Sequence, residues 1–173
     1  MGSQFIFVVE TNKKCQSDWM YIKDSIEHFY TFDRTHVKLS TVYMDGRGNY
    51  KKKEKDIQSL ISQYKAASKK NQSKVIYCFD CDNFDTNAED ENFLKNAKQY
   101  ENGYEFVWFC RDIEQVYIGK QVEKSQKHTE AATFKAKKLI INVNADKLLK
   151  KNYCVSASNF MNIMDQFEEF TRK

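Results

Sequence analysis

The sequence predicts an α/β fold in which helices cover a mainly parallel sheet. Residues 5–9 and 75–79 are short runs of apolar, aromatic and β-branched side chains, which are typical of strands buried on both faces. Segments with apolar residues at helical spacing lie between these runs and further strand-like stretches. Strands that alternate with helices in this way are joined by right-handed crossovers, so the sheet is expected to be mainly parallel.

The first half of the chain supplies two strands and two helices. Residues 17–30 are predicted to form the first helix, which starts at Ser17 and Asp18. Residues 37–44 alternate between apolar and polar side chains, which predicts a second strand nearer the edge of the sheet. After a turn at residues 45–49, a lysine-rich segment opens a second helix, whose apolar stripe is Ile57, Leu60, Ile61 and Tyr64.

The second half of the chain continues the alternation of strands and helices up to residue 119. Residues 75–79 are the third strand, and a third helix is predicted around residues 93–100. Residues 104–109 form the fourth strand, and residues 113–119 the fourth helix, which ends at a glycine. The predicted sheet therefore has four strands.

Two regions of one domain are expected. Residues 1–119 form the α/β core, and residues 120–173 form a lysine-rich, helical extension packed on the same domain. Within the extension, apolar residues at helical spacing predict a final helix over residues 160–170, with Ser158 as its cap.

The composition indicates a soluble cytoplasmic protein. The chain has 173 residues, of which 41% are hydrophobic and 30% charged, enough for one core and too charged for a membrane protein. The chain carries no spanning apolar run and no signal peptide pattern. The five cysteines are odd in number and scattered, as expected of reduced thiols. A net charge of +4 is compatible with a polyanionic partner but does not require one.

Three carboxylates follow buried strands of the predicted sheet. Glu10 ends the first strand, and Asp80 and Asp82 end the third. Ligands of parallel α/β sheets bind outside the carboxyl ends of the strands, so these side chains are expected to share a site. Their mutual repulsion would be relieved by a divalent cation such as Mg²⁺, which suits phosphoryl or phosphodiester chemistry. The alternative is that the Asp-x-Asp pair is a solvated loop feature.

Further residues could contribute to the same site. Glu114 follows the fourth strand and could face the same edge, although taken alone it would be a surface helix residue. A basic side chain near a scissile phosphate would stabilise developing charge. Arg111, Lys120 and Lys135 are candidates, each of which could equally be a solvated surface residue.

Other motifs do not fit the sequence as well. Cys78 and Cys81 have the spacing of zinc ligands, but strand alternation directs their sulfurs to opposite faces. The three histidines lack ligand or triad spacing, and no nucleophile elbow or phosphate-binding glycine loop is present. In haloacid-dehalogenase-like phosphatases the Asp-x-Asp follows the first strand, whereas here it follows the third.

The order of these features resembles the Toprim domain of primases, topoisomerases and OLD-type nucleases. That domain has a glutamate after its first strand, a glycine-containing turn after the second and Asp-x-Asp after the third. More narrowly, residues 8–11, 77–84 and 110–117 resemble stand-alone RloB-like Toprim proteins associated with phage defence. Thr11 stands where that family usually has glycine after the first glutamate.

The resemblance implies a Toprim-like (Rossmannoid) fold and a metal-dependent nuclease. Asp80 and Asp82 would hold Mg²⁺ or Mn²⁺, and Glu10 would be a ligand or a general acid and base. The implied partners are DNA or RNA and a second protein of a defence system. Two alternatives remain: an inactive or regulatory Toprim-like nucleic-acid-binding module, and an Asp-x-Asp nucleotide-sugar transferase, a class whose domains are usually longer.

Overall fold

A computed structural model of the chain describes residues 1–82 and 103–173. The strands in these residues are β1 (Ser3–Val9), β2 (Tyr30–Thr31), β3 (Val37–Tyr43), β4 (Gln72–Asp80), β5 (Glu105–Cys110), β6 (Ala157–Ser158) and β7 (Thr171–Arg172). The α-helices are α1 (Ser17–Phe29), α2 (Glu54–Ala67), α3 (Ile113–Ile118), α4 (Lys127–Ala136) and α5 (Phe160–Met164). Short 3₁₀ helices span Arg47–Lys53, Leu139–Asn142 and Ala145–Leu148.

The described strands form a mainly parallel, five-stranded sheet in the order β3-β1-β4-β5-β6. The first four are parallel, and β6 pairs antiparallel with β5. The predicted α/β class and mainly parallel sheet are confirmed, and β3 lies at an edge as its alternation indicated. The prediction of four strands was wrong, because the fifth strand has only two residues and leaves no periodic signal in the sequence.

Strand β1 is an interior strand of the sheet, between β3 and β4, and is buried on both faces. Phe5, Phe7 and Val9 point into one hydrophobic cluster, whereas Ile6 and Val8 point into another on the opposite face. All five side chains are fully buried. The continuous apolar run therefore reflects a strand covered on both sides, as expected for parallel sheets.

Replacing Phe7 by Ala is expected to destabilise the fold by about 3–5 kcal/mol. Phe7 is fully buried, with its ring 5.4 Å from that of Trp19, so truncation leaves a cavity in the larger core. Urea unfolding measures the change. Ile141→Ala, at a side chain that is 67% exposed, should leave the unfolding midpoint unchanged. A loss below about 1 kcal/mol for Phe7→Ala would show that this core is not packed as described.

The end of the chain departs from the predicted helix over residues 160–170. Helix α5 stops at Met164, and the chain then turns into β7, which pairs with β2. The ring centroids of Phe167 and Phe170 lie 5.0 and 4.8 Å from that of Phe5. Packing of these two rings against β1 therefore replaces the last turns of the predicted helix. The Ser158 hydroxyl accepts the backbone N–H of Phe160, although Ser158 itself belongs to β6.

Other predicted elements have mixed outcomes. Helices α1 and α3 occupy the predicted positions, and α2 follows a 3₁₀ helix in the lysine-rich segment. The helix predicted around residues 93–100 lies outside the described residues. Within the two described ranges, no helix combines the length and the apolar character that crossing a bilayer requires.

Candidate functional site

Glu10 and Asp80 meet at the carboxyl edge of the sheet. Strands β1 and β4 are parallel neighbours, with Val9 paired to Cys78, so both strands end at the same edge. One carboxylate oxygen of Glu10, Oε1, accepts the backbone N–H of Asp80 at 2.9 Å. The two carboxyl residues that the sequence placed at neighbouring strand ends are thus in direct contact.

The Asp80 side chain is held in one position by its surroundings. It is only 8% exposed, and its Oδ1 accepts the backbone N–H of Ile113 at the start of α3, at 3.0 Å. The guanidinium of Arg47 donates to the Asp80 carbonyl oxygen at 3.2 Å. Contacts from three separate segments therefore fix this carboxyl residue, as a preorganised site requires.

Two further buried carboxyl groups belong to the same cluster. Asp18, in the first turn of α1, is 4% exposed, and its Oδ2 accepts the backbone N–H of Thr11 at 3.1 Å. Glu114, in the first turn of α3, is fully buried, and its Oε2 accepts a hydrogen bond from Lys127 at 2.9 Å. Of the two positions that the sequence left open for Glu114, the surface position is excluded, because α3 packs this face against the cluster.

The four carboxyl groups oppose one another's ionisation. Burial, and next the charge of Asp18, raise the pKa of Glu10 to about 8. Burial, and next the charge of Glu10, raise the pKa of Asp80 well above its usual range. Burial also raises the pKa of Asp18, and that of Glu114 to about 7, although Lys127 opposes both shifts. Such mutual repulsion is the electrostatic condition that favours binding of a cation.

A cleft of about 530 Å³ opens onto this cluster. Glu10, Asp18 and Asp80 line this cleft together with several lysines. The residues that line it are Glu10, Thr11, Asn12, Lys14, Cys15, Asp18, Asp45, Gly46, Asp80, Lys124, Ser125, Lys127 and His128.

Asp82 lines a different cleft from Asp80, although its charge still acts on Glu10. It is exposed and lines a second cleft of about 390 Å³, together with Asp112 and Lys120. Strand β4 ends at Asp80, so the alternation that would keep the two aspartates on one face no longer operates at Asp82. Lys124 and Lys127 line both clefts, which therefore adjoin each other.

The donor chemistry of the site fits a hard divalent cation. In residues 1–82 and 103–173, no three carboxylate, histidine or cysteine groups converge closely enough to hold a metal by themselves. The Glu10 carboxylate nevertheless accepts the Asp80 backbone N–H, and burial and next the charge of Glu10 raise the pKa of the Asp80 carboxyl, so the two side chains are close enough to act on one ion. Mg²⁺ commonly takes one or two protein carboxylates and completes its shell with water and substrate oxygens. Two protein ligands therefore fit this ion.

The three basic residues chosen from the sequence do not line the cleft that contains Glu10 and Asp80. Lys120 pairs with Glu130 at 2.9 Å and lines the second cleft. Arg111 is half-buried just past β5, and Lys135 is exposed near the end of α4. Lys127 and Arg47 instead bring positive charge to the cluster, and nothing in its lysine-rich surroundings distinguishes Lys127 in the sequence. Asp18 could have been found, since a helix that follows a parallel strand begins at the carboxyl edge.

Cys78 and Cys81 point in opposite directions, as strand alternation predicted. Cys78 belongs to the cluster that contains Phe5, and Cys81 to the cluster on the other face of the sheet. The two sulfurs cannot approach a common ion in this arrangement.

The chain matches no protein-family model, no curated protein and no solved structure. The Toprim resemblance therefore rests on the motifs in the sequence, and the function has to be argued from the site.

Proposed function

We propose that the cleft at the carboxyl edge is the active site of a divalent-metal-dependent nuclease. The observation that carries this proposal is the contact of the Glu10 carboxylate with the Asp80 backbone N–H, which places two carboxyl residues at adjacent strand ends in a cluster whose groups repel one another when ionised. Phosphodiester hydrolysis fits because Mg²⁺ sites of this kind take substrate phosphate oxygens as remaining ligands. On the strength of the Toprim and RloB-like resemblance, we extend the proposal to defence against phage or mobile DNA.

The residues of the cleft have distinct tasks in this proposal. Glu10 and Asp80 would hold Mg²⁺ or Mn²⁺, with Asp82 at the entrance from the second cleft. The bound ion would polarise the scissile phosphate and activate water. Lys14 and Lys124 on the cleft wall would attract the phosphate backbone. Burial, and next the charge of Asp18, raise the pKa of Glu10 to about 8 in the metal-free protein, so binding of the ion would release a proton from this carboxyl near neutral pH.

A cleavage assay tests the proposed activity. Supercoiled plasmid DNA and a structured RNA are incubated with the protein and Mn²⁺ or Mg²⁺, with EDTA as the control. We expect one or both substrates to be nicked or cut in a metal-dependent way. No cleavage of either substrate at micromolar protein, with the fold verified by circular dichroism, would contradict the proposal.

The second candidate is a Toprim-like module that binds nucleic acid without cutting it. It is favoured by the lack of a three-ligand metal group in the described residues, and by Thr11, which stands where the Toprim-like family usually has glycine. Fluorescence anisotropy with labelled DNA and RNA oligonucleotides separates the two functions. Saturable binding that leaves the oligonucleotides intact in Mn²⁺ would favour the module.

A further inference from the structure

Lys127 is a half-buried cation that contacts the carboxyl cluster. It is the first residue of α4, its side chain is 22% exposed, and its ammonium lies 2.9 Å from Oε2 of the fully buried Glu114. Its positive charge also lowers the pKa of Asp18 and Asp80, so it acts on three buried carboxyl groups at once. An ordinary surface ion pair engages one partner and is worth little.

The position of Lys127 is fixed by the elements around it. Helix α4 packs against α1 in the hydrophobic core through Ala131 and Phe134, both buried. The next residue, His128, places its Nδ1 2.6 Å from the carbonyl oxygen of Cys15, in the loop between β1 and α1. The ammonium is therefore held between α3 and the start of α1.

Arg47 adds a second positive charge near Glu10 and Asp80, so two cations, Lys127 and Arg47, face the carboxyl groups of the cluster. Four carboxyl groups, Glu10, Asp18, Asp80 and Glu114, interact electrostatically with one another there. Oε1 of Glu114 is buried and has no hydrogen-bond partner among the described residues. A buried unpaired carboxylate oxygen is costly and marks a position where a positive ligand is missing. When ionised, the four carboxyl groups outnumber the two cations, and a further cation would enter beside Glu10 and Asp80, which line the open cleft.

We propose that Lys127 takes the place of a second divalent cation, so that the chain binds a single metal ion and supplies the other positive charge itself. This inference rests on the proposed function, because it assumes that Glu10 and Asp80 hold a metal. Lys127 is then a cation that faces the substrate phosphate from the wall shared by both clefts.

Calorimetric titration with MnCl₂ at pH 8 tests the inference without any measurement of activity. Wild type is expected to bind one Mn²⁺ ion. Lys127→Met removes the charge but keeps an unbranched side chain, and it should bind a second ion or bind the first at least about tenfold more tightly. Lys120→Met is the matched control, because Lys120 also pairs with a glutamate and lines the second cleft. It should titrate like wild type.

Each contrary result has its own meaning. If wild type binds one ion and Lys127→Met has the same stoichiometry and affinity, the inference is overturned while the proposed metal site stands. If wild type itself binds two ions, Lys127 replaces none and the inference also fails. If wild type binds no Mn²⁺, the proposed metal site and the inference fail together.

Thermal melting covers the case in which Lys127→Met folds poorly. Loss of the ammonium should lower its Tm in EDTA, and Mn²⁺ should then raise that Tm by more than it raises the Tm of wild type. Lys127→Arg keeps the positive charge and should show the metal response of wild type. A Tm loss in Lys127→Met that Mn²⁺ does not reverse would mean that Lys127 only supports the fold, which overturns the inference.

Discussion

Replacing Asp80 by Asn is expected to lower metal-dependent cleavage by at least about 100-fold, since even residues that only support a metal ligand are worth about 10–100-fold. Asn keeps the Oδ1 atom that accepts the backbone N–H of Ile113, so the local structure is preserved while the negative charge is lost. Initial rates on plasmid DNA and on RNA, at saturating Mn²⁺, measure the effect. The Tm of the variant checks that the fold is intact.

Variants of two further aspartates show whether the loss of activity is specific to Asp80. Asp146→Asn changes an exposed residue of the 3₁₀ helix Ala145–Leu148 and should leave the rate unchanged. Asp82→Asn should cost clearly less activity than Asp80→Asn, because Asp82 is exposed and lines the neighbouring cleft. Equal losses at Asp80 and Asp82 would mean that both hold the metal together, contrary to the arrangement described above. Full activity of Asp80→Asn would exclude Asp80 as a metal ligand.

The second large effect is a fall in the stability of the metal-free protein as the pH rises. The pKa of Glu10 increases from an ordinary value of 4.5 in the unfolded chain to about 8 in the folded protein. Between these values the folded state binds a proton that the unfolded state has released, so stability decreases as pH increases through this window. Glu114, with a pKa of about 7, acts in the same direction. Above about pH 8 the Glu10 contribution is constant.

Thermal melts in EDTA at several pH values measure this dependence. One pKa unit corresponds to about 1.4 kcal/mol, so the Tm of wild type should fall by several degrees between about pH 5 and pH 8. Glu10→Gln cannot ionise and keeps the oxygen that accepts the Asp80 N–H, so its Tm should fall less. Glu168→Gln, at an exposed site, should behave like wild type. A wild-type Tm that rises across this range would contradict the assignment of a buried, repelling cluster.

The strands of the core could be predicted because burial on both faces leaves a direct mark on the sequence. Strands β1 and β4 are nearly continuous apolar runs, and their order along the chain placed Glu10 and Asp80 at one edge. The contact between these two residues is the part of the site that sequence reasoning could reach. Strand β6 could not be found in this way, because two residues show no period.

Other parts of the site depend on packing between segments that are distant in sequence. Asp18 is the exception, because it starts the helix that follows β1 and so lies at the carboxyl edge, where its contact with the Thr11 N–H holds it. Lys127 follows several other lysines, and its role comes from the docking of α4 on α1. Glu114 is buried because the chain passes from β5 directly into α3 over the end of β4. Such placement follows from tertiary contacts that local patterns do not encode.

The most direct test of the central claim is whether the chain binds a divalent cation through Glu10 and Asp80. Isothermal titration of the metal-free protein with MnCl₂ is carried out on wild type, Glu10→Gln, Asp80→Asn and the control Asp146→Asn. Wild type and the control are expected to show saturable binding, and the Glu10 and Asp80 variants binding weakened by at least about tenfold. Unchanged binding in both variants, or no binding by wild type, would contradict the assignment of this cluster as a metal site.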